Sequence, residues 1–308
     1  MDTELILRSC GADQYVASQA RHYRTSLVEH FKGLMNRITS IRAQAMFMSP
    51  AIMIAAAIVL PPLLYVFYTS VHGPALSLAA YGDVLSSKLF RGTLSTTLVI
   101  AGSASLLSLL LGFVVALHLA RQTARRRTAL MVLVLLPFWT SVLVKCFAFT
   151  IILGRDGIIN SILSWIFDTK IQLPLVLNRM GLLIGMTNFL IPFVVLPVLA
   201  SLLAIDHAIY RAASIMGAKP VRVFWTVTVP LSLPGIFAGL LSIFVMSLGA
   251  FIVPALLGGP QDQMLSNLVD FYNREVLDWP KASAIGVVLL AMVFIFAIPL
   301  ALCRPRKI

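Results

Sequence analysis

The sequence predicts an all-α, polytopic membrane protein with six transmembrane helices and both termini in the cytoplasm. Composition is the first reason: 59% of the 308 residues are hydrophobic, only 12% are charged, and the mean hydropathy is +0.93. A soluble globular chain carries about 25% charged residues. The second reason is where the charges fall. They leave six apolar runs almost clear, at 46–70, 94–120, 129–153, 181–203, 229–256 and 283–303. Each run can supply the ~20 residues that a helix needs to cross a bilayer. The third reason is an asymmetry of basic residues between the connecting loops, which sets the orientation.

The chain begins with a polar tail, 1–45, far longer than the basic region of a signal peptide, so no cleavage is expected. Leu27, Val28, Phe31, Leu34, Met35 and Ile38 follow helical spacing there, with Arg21, Arg24, Lys32, Arg37 and Arg42 among them. This pattern predicts a basic amphipathic helix on the anionic lipid of the cytoplasmic leaflet, with a partly disordered tail as the alternative. The membrane region follows at 46–303, and residues 304–308 form a short cytoplasmic tail. Pro61–Pro62, Pro192, Pro197 and Pro254 fall inside apolar runs, where neighbouring helices can satisfy the carbonyls that a proline frees. Gly258–Gly259–Pro260 reads as the turn by which the chain leaves the fifth run.

Orientation comes from Lys and Arg. The tail holds six, the 121–128 loop four (Arg121, Arg125, Arg126, Arg127), the 204–228 loop three and the C-terminus three. Those sixteen share one side with five acids, against eight basic residues and seven acids on the other. The richer side is cytoplasmic. The formal charge of +12 is therefore a topology signal and not a nucleic-acid footprint.

Residues 211–230, RAASIMGAKPVRVFWTVTVP, form a basic, moderately polar insert in this apolar chain. Ala212, Ala213 and Gly217 would give a helix a low, flat face open to close approach by another surface. Lys219–Pro220 is expected to end that helix, because proline disfavours the α conformation in the residue before it.

The combined spacing resembles the EAA---G---------I-LP loop of binding-protein-dependent ABC importer permeases. Ala212, Ala213, Gly217, Val227 (for Ile), Val229 (for Leu) and Pro230 match, while Arg211 replaces the family's Glu. The resemblance implies a type I importer permease fold in the bacterial inner membrane, with 204–228 as the coupling loop. Arg211, Ala212, Ala213, Gly217, Ala218, Val227, Val229 and Pro230 would then engage a separate ABC ATPase. An extracytoplasmic solute-binding protein and a second permease, identical or homologous, are implied as further partners. LLPFWTSVLVKCFAF (135–149), TNFLIPFVVLPVLASLLA (187–204), SLGAFIVPALLGGPQDQMLSNLV (247–269) and DWPKASA (278–284) are similar to segments of polyamine (spermidine/putrescine) permeases and their opine-type relatives. The likeness covers about 46–303 and implies a small-molecule cargo, with a polyamine first and an opine-like or phosphonate solute as alternatives.

No catalytic constellation is visible, so a transport subunit and not an enzyme is expected. The sequence has no GxxxxGK[ST] phosphate loop, and lacks even a Gly-Lys dipeptide. His22, His30, His72, His118 and His207 are isolated, and Cys10, Cys146 and Cys303 are scattered, so no metal, cofactor or disulfide is expected. A secondary transporter would place acids in its spans for ion coupling, and none of the six runs contains Asp or Glu. Lys145 is the one charge well inside a run. On a straight helix it lies ~24 Å from the inner end, which allows either snorkelling outward or a place on the translocation path. A polycation path without acids would use aromatic faces and polar groups. Phe138, Trp139, Asn188, Tyr272 and Asn273 are the candidates beside Lys145. Asp262, Asp270, Glu275 and Asp278 lie on the external side and could meet cargo or a docking protein.

Overall fold

The computed structural model describes residues 49–71, 78–169 and 172–302, the last four of these by backbone alone. The expected amphipathic helix of the tail and residues 304–308 lie outside the described residues. The chain divides into two units, 1–65 and 66–308. In the first, the described residues are the start of helix α1 (Ser49–Val71), exposed from Ser49 to Tyr65 apart from half-buried Ala56.

The second unit is built on three long helices. They are α3 (Lys88–Ala120), α7 (Arg179–Leu203) and α10 (Val229–Leu248). α7 is the central one, packing along both others and burying Leu182, Met186, Leu190, Val194, Val195 and Val198 completely. Lipid tails are as apolar as leucine, so helices in a membrane gain by close packing and not by escaping water. Small residues supply that closeness here. A Cβ on Gly235 of α10 would lie 2.5 Å from the Pro197 carbonyl oxygen and 2.5 Å from Ser201 Cβ. Only hydrogen fits at that crossing.

A second apolar cluster joins α2 (Ala79–Ser86), α12 (Leu265–Arg274) and α13 (Trp279–Leu302) to the start of α3. The amide of Leu265 donates to Thr97 Oγ1 at 2.9 Å, which satisfies a free N–H in the first turn of α12 and ties it to α3. Three of the four acids singled out as candidates to meet cargo or a docking protein, Asp262, Asp270 and Asp278, are paired. Arg179 meets Asp262 at 3.1 Å, Arg274 meets Asp270 at 2.7 Å, and Lys281 meets Asp278 at 3.0 Å and Asp83 at 3.8 Å. Tyr272 packs into the second cluster.

Six crossings are found only when one of them is broken. Among the described residues five helices are long and apolar enough to span, and the sixth combines α4 (Ala124–Trp139) with α5 (Val142–Ile152), bent by 93° between them. The single straight span expected at 129–153 is therefore wrong. Pro137 weakens the last turn of α4, and Thr140 and Ser141 then take extended ψ angles of 143° and 136°. The ~24 Å placement of Lys145, which assumed a straight helix, falls with it. A short helix, α6 (Ile158–Phe167), follows.

The fifth run is also displaced. It begins early, as one continuous apolar helix from Pro220 to Leu248, and breaks at Gly249–Ala250 before a separate helix, α11 (Ile252–Leu257). Within it, α9 (Pro220–Val223) passes through a π turn at Phe224–Thr228 into α10. Helices α5 and α11, the two pieces cut off by these breaks, pack against each other and on α7.

Candidate functional site

The 204–230 segment is mostly helical, and its local sequence explains why. Asp206 starts α8 (His207–Ile215), its carboxylate accepting from the Ala208 amide at 2.8 Å. The helix stops at Ile215 and not at Lys219–Pro220 as expected. Gly217 adopts the left-handed conformation, with φ +72°. Its amide donates to the Ser214 carbonyl at 3.0 Å, and that of Ala218 donates to the Ala213 carbonyl at 3.1 Å. These two bonds are the Schellman pattern that closes a helix C-terminus. Pro220 instead opens the next helix, where its missing N–H costs nothing.

Gly217 therefore belongs to no flat helical face. It is the reversal that turns the chain, and Ala213 and Ala218 are the half-buried residues flanking its bond. Arg211 and Ala212 are exposed on α8, Val227 is half-buried in the π turn, and Val229 and exposed Pro230 begin α10. At the tip the chain presents Ile215 and Met216, 86% and 84% exposed. The spacing argument missed both, although two large apolar residues before a helix-ending glycine in a basic loop were signal enough. Tyr210 was missed as well. Its hydroxyl lies 3.2 Å from Thr228 Oγ1 and ties α8 to the root of α10. Between α8, the C-terminal end of α3 and the start of α9 is a cavity of about 390 Å³, lined among others by Arg121, His207, Tyr210 and Phe224. A larger hollow of about 640 Å³ lies at the other end of α3, between Lys88, Thr93, Gln261 and Phe271.

The second group of expected residues surrounds Lys145. Its ammonium donates to the Pro137 carbonyl oxygen at 2.8 Å and lies 5.5 Å from the centre of the Phe189 ring. The Thr140 hydroxyl donates to the same oxygen at 2.8 Å. Lys145 and Asn188 share a small cavity with Phe149, Gly185, Phe189 and Val253, whose volume of about 10 Å³ is at the threshold for one water. Phe138 reaches the group indirectly. Its ring meets Phe193 edge-on at 5.5 Å, and Phe193 lies 5.8 Å from Phe189. Trp139 stands apart, 85% exposed, with Val132, Leu135 and Leu136 around an apolar hollow. Asn273 is half-buried on α12, and no cluster of metal-ligating side chains forms among the described residues.

Comparison with known proteins gives a consistent result. Residues 108–307 match the family described as binding-protein-dependent transport system inner membrane component. The chain is 31% identical over 207 residues to the spermidine/putrescine transport system permease protein PotB of Escherichia coli (strain K12), covering 67% of this chain and 74% of that one. It is 28% identical over 233 residues to a putative 2-aminoethylphosphonate transport system permease protein, PhnU, of Salmonella typhimurium (strain LT2), covering 71% and 76%. In three dimensions it is similar to a chain of a bacterial alginate ABC transporter in complex with an alginate pentasaccharide-bound periplasmic protein. The TM-score is 0.68 at 18% identity, over 82% of this chain and 91% of that one. A likeness at that identity speaks for the fold alone.

Proposed function

The chain belongs to the binding-protein-dependent transport system inner membrane components, as a multi-pass permease subunit of an ABC importer, and from that premise we propose that it conducts a small organic polycation of the spermidine/putrescine class. Residues 204–230 couple it to a separate ATPase, which alone hydrolyses ATP. The observation that carries the coupling role is the α8 tip. A helix closed at Gly217 offers Ile215 and Met216 to the outside, and exposed apolar side chains at a loop tip are suited to a groove on a partner.

In this mechanism ATP closes a pair of ATPase subunits and carries α8 with it. The Tyr210–Thr228 contact and the rigid Pro220–Leu248 helix pass the displacement into the bundle. Two permease copies, this one and an identical or homologous second, rock from an inward-facing to an outward-facing state. An extracytoplasmic binding protein then delivers cargo. Phe138, Lys145 and Asn188 stand near the meeting point of α5, α7 and α11, where the path is proposed to run; Trp139, further out, is proposed for its mouth. Discontinuous helices are where transporters place polar groups at membrane depth, because broken backbone there must line a cavity or be buried in protein. Polyamine cargo is favoured by the likeness to PotB over two thirds of this chain. Aminophosphonate cargo is the second reading, favoured by the likeness to PhnU.

The test is reconstitution with the ATPase. Met216→Asp combined with Ile215→Asp places charges on the tip without touching the bundle, and is expected to abolish co-purification of the ATPase while membrane insertion stays normal. Retained co-purification with normal ATP-driven uptake counts against α8 as the docking element. Uptake of labelled spermidine against 2-aminoethylphosphonate separates the two cargoes.

A further inference from the structure

We propose that Lys145 is a positioning residue that caps α4 across the break in the third span and so withholds its charge from the cargo. This inference rests on the reading that solute passes between α5, α7 and α11. It goes beyond that reading in giving the one cation there a task.

The argument starts from the backbone. A helix that ends in apolar surroundings leaves up to four carbonyl oxygens without intrahelical partners, and no water is present to meet them. α4 ends in this way at Trp139, in the middle of an apolar run. The Pro137 carbonyl is met by two donors, the Thr140 hydroxyl and the Lys145 ammonium, each at 2.8 Å. A cation is the favourable partner at a helix C-terminus, where the peptide dipoles leave partial negative charge. The Lys145 amide meanwhile donates to the Ser141 carbonyl at 3.1 Å, closing the first turn of α5. One residue therefore fastens both sides of the 93° elbow, its side chain to α4 and its backbone to α5.

The remaining surroundings fit a held cation better than one turned toward cargo. The Phe189 ring lies 5.5 Å from the ammonium, close enough for its π face to stabilise the charge. The cavity that Lys145 shares with Asn188 is about 10 Å³, so nothing larger than a water lies beside it in this conformation. Neither a snorkelling lysine nor a cargo ligand would be fixed to a carbonyl eight residues back on the preceding helix. With its charge engaged, what remains around this small cavity is the Asn188 amide, the Phe149 and Phe189 rings and uncharged small or apolar residues, a lining that does not repel a polycation.

The experiment measures the elbow directly and transport separately. Spin labels go on Val132→Cys in α4 and Ile151→Cys in α5, both exposed, with Cys10 and Cys303 replaced by serine and buried Cys146 kept. The expected result is a single narrow distance distribution in the parent, a broad one in Lys145→Met, and recovery of the narrow one in Lys145→Arg. Thr140→Val, which removes the second donor and leaves the charge, broadens it in the same direction. In the complete transporter Lys145→Met lowers the maximal uptake rate of spermidine about tenfold while KM stays within about twofold, because positioning and not ground-state binding is lost. An unchanged distance distribution in both Lys145→Met and Thr140→Val overturns the proposal. So does a KM for spermidine that falls about tenfold on removing the charge, which would mean the ammonium had faced the cargo. If the parent takes up no spermidine, the cargo assignment fails by itself, and the distance measurement still decides the role of Lys145.

Discussion

At Gly217 the backbone sits at φ +72°, and a Cβ built there meets nothing within 4 Å. Substitution is therefore opposed by conformation and not by crowding. A branched L side chain in the left-handed region costs about 1–2 kcal/mol, whereas asparagine visits that region readily. Gly217→Val is expected to displace the α8 tip and lower ATP-driven uptake severalfold, with membrane insertion unchanged, while Gly217→Asn stays near the parent. Uptake and ATP hydrolysis measured on the same reconstituted transporter check this, and equal loss in both variants would mean that the glycine matters for a reason other than its backbone angle. The residue identities of this loop were legible from spacing alone, since Ala212, Ala213, Gly217 and Pro230 stand where the pattern expects them. Their physical roles were not. Spacing cannot distinguish a glycine within a helix from one that ends it, whereas the φ of +72° and the bonds from Gly217 to Ser214 and from Ala218 to Ala213 do so. Arg211 is exposed on α8, so the exchange for the family's glutamate leaves the fold untouched. An exposed ion pair is worth only ~0–1 kcal/mol, so the exchange is expected to have a small effect on the proposed docking.

Among the elements, the apolar runs gave the number of crossings but not their continuity. Hydropathy averages over a window, and both breaks lie in stretches that remain apolar throughout. Pro137 followed by Thr140–Ser141, and Gly249–Ala250 before α11, were the local signals that the average erased. Packing between long helices was equally hidden, because a glycine in a membrane helix has the same hydropathy whether it faces lipid or a neighbour. The structure separates the two cases. Gly235 of α10 lies against the Pro197 carbonyl, and Gly102 of α3 has open space around it. Gly235→Val forces side-chain and backbone shifts that cost about 1–3 kcal/mol, so detergent-solubilised protein should unfold several degrees below the parent. Gly102→Ala, which removes a helix-weakening glycine without a clash, should leave the midpoint unchanged or raise it. A thermal scan of the two variants beside the parent decides whether the α7–α10 crossing limits stability, and equal midpoints would show that it does not.

On the scale of the whole 66–308 unit, the length of α3 sets the geometry of function. Its 33 residues extend roughly 50 Å at ~1.5 Å per residue, more than the ~30 Å of a bilayer's hydrocarbon core. The two cavities at its ends are therefore expected to face opposite compartments, with α8 beside one and the Gln261 loop beside the other. Which compartment is which rests on sixteen basic residues against eight, a count dominated by the N-terminal tail and the 121–128 loop. That argument concerns membrane insertion and is independent of the packing, so the two can be tested against each other. With Cys10 and Cys303 replaced by serine, Met216→Cys, at the tip of α8, should react with a membrane-impermeant maleimide in inside-out vesicles and stay protected in intact right-side-out ones. Gln261→Cys should show the reverse. A swapped pattern would put α8 outside the cell, beyond reach of any ATPase, and the charge rule and the coupling role would fail together. Reaction of both cysteines from one side would instead mean that α3 does not cross the membrane at all.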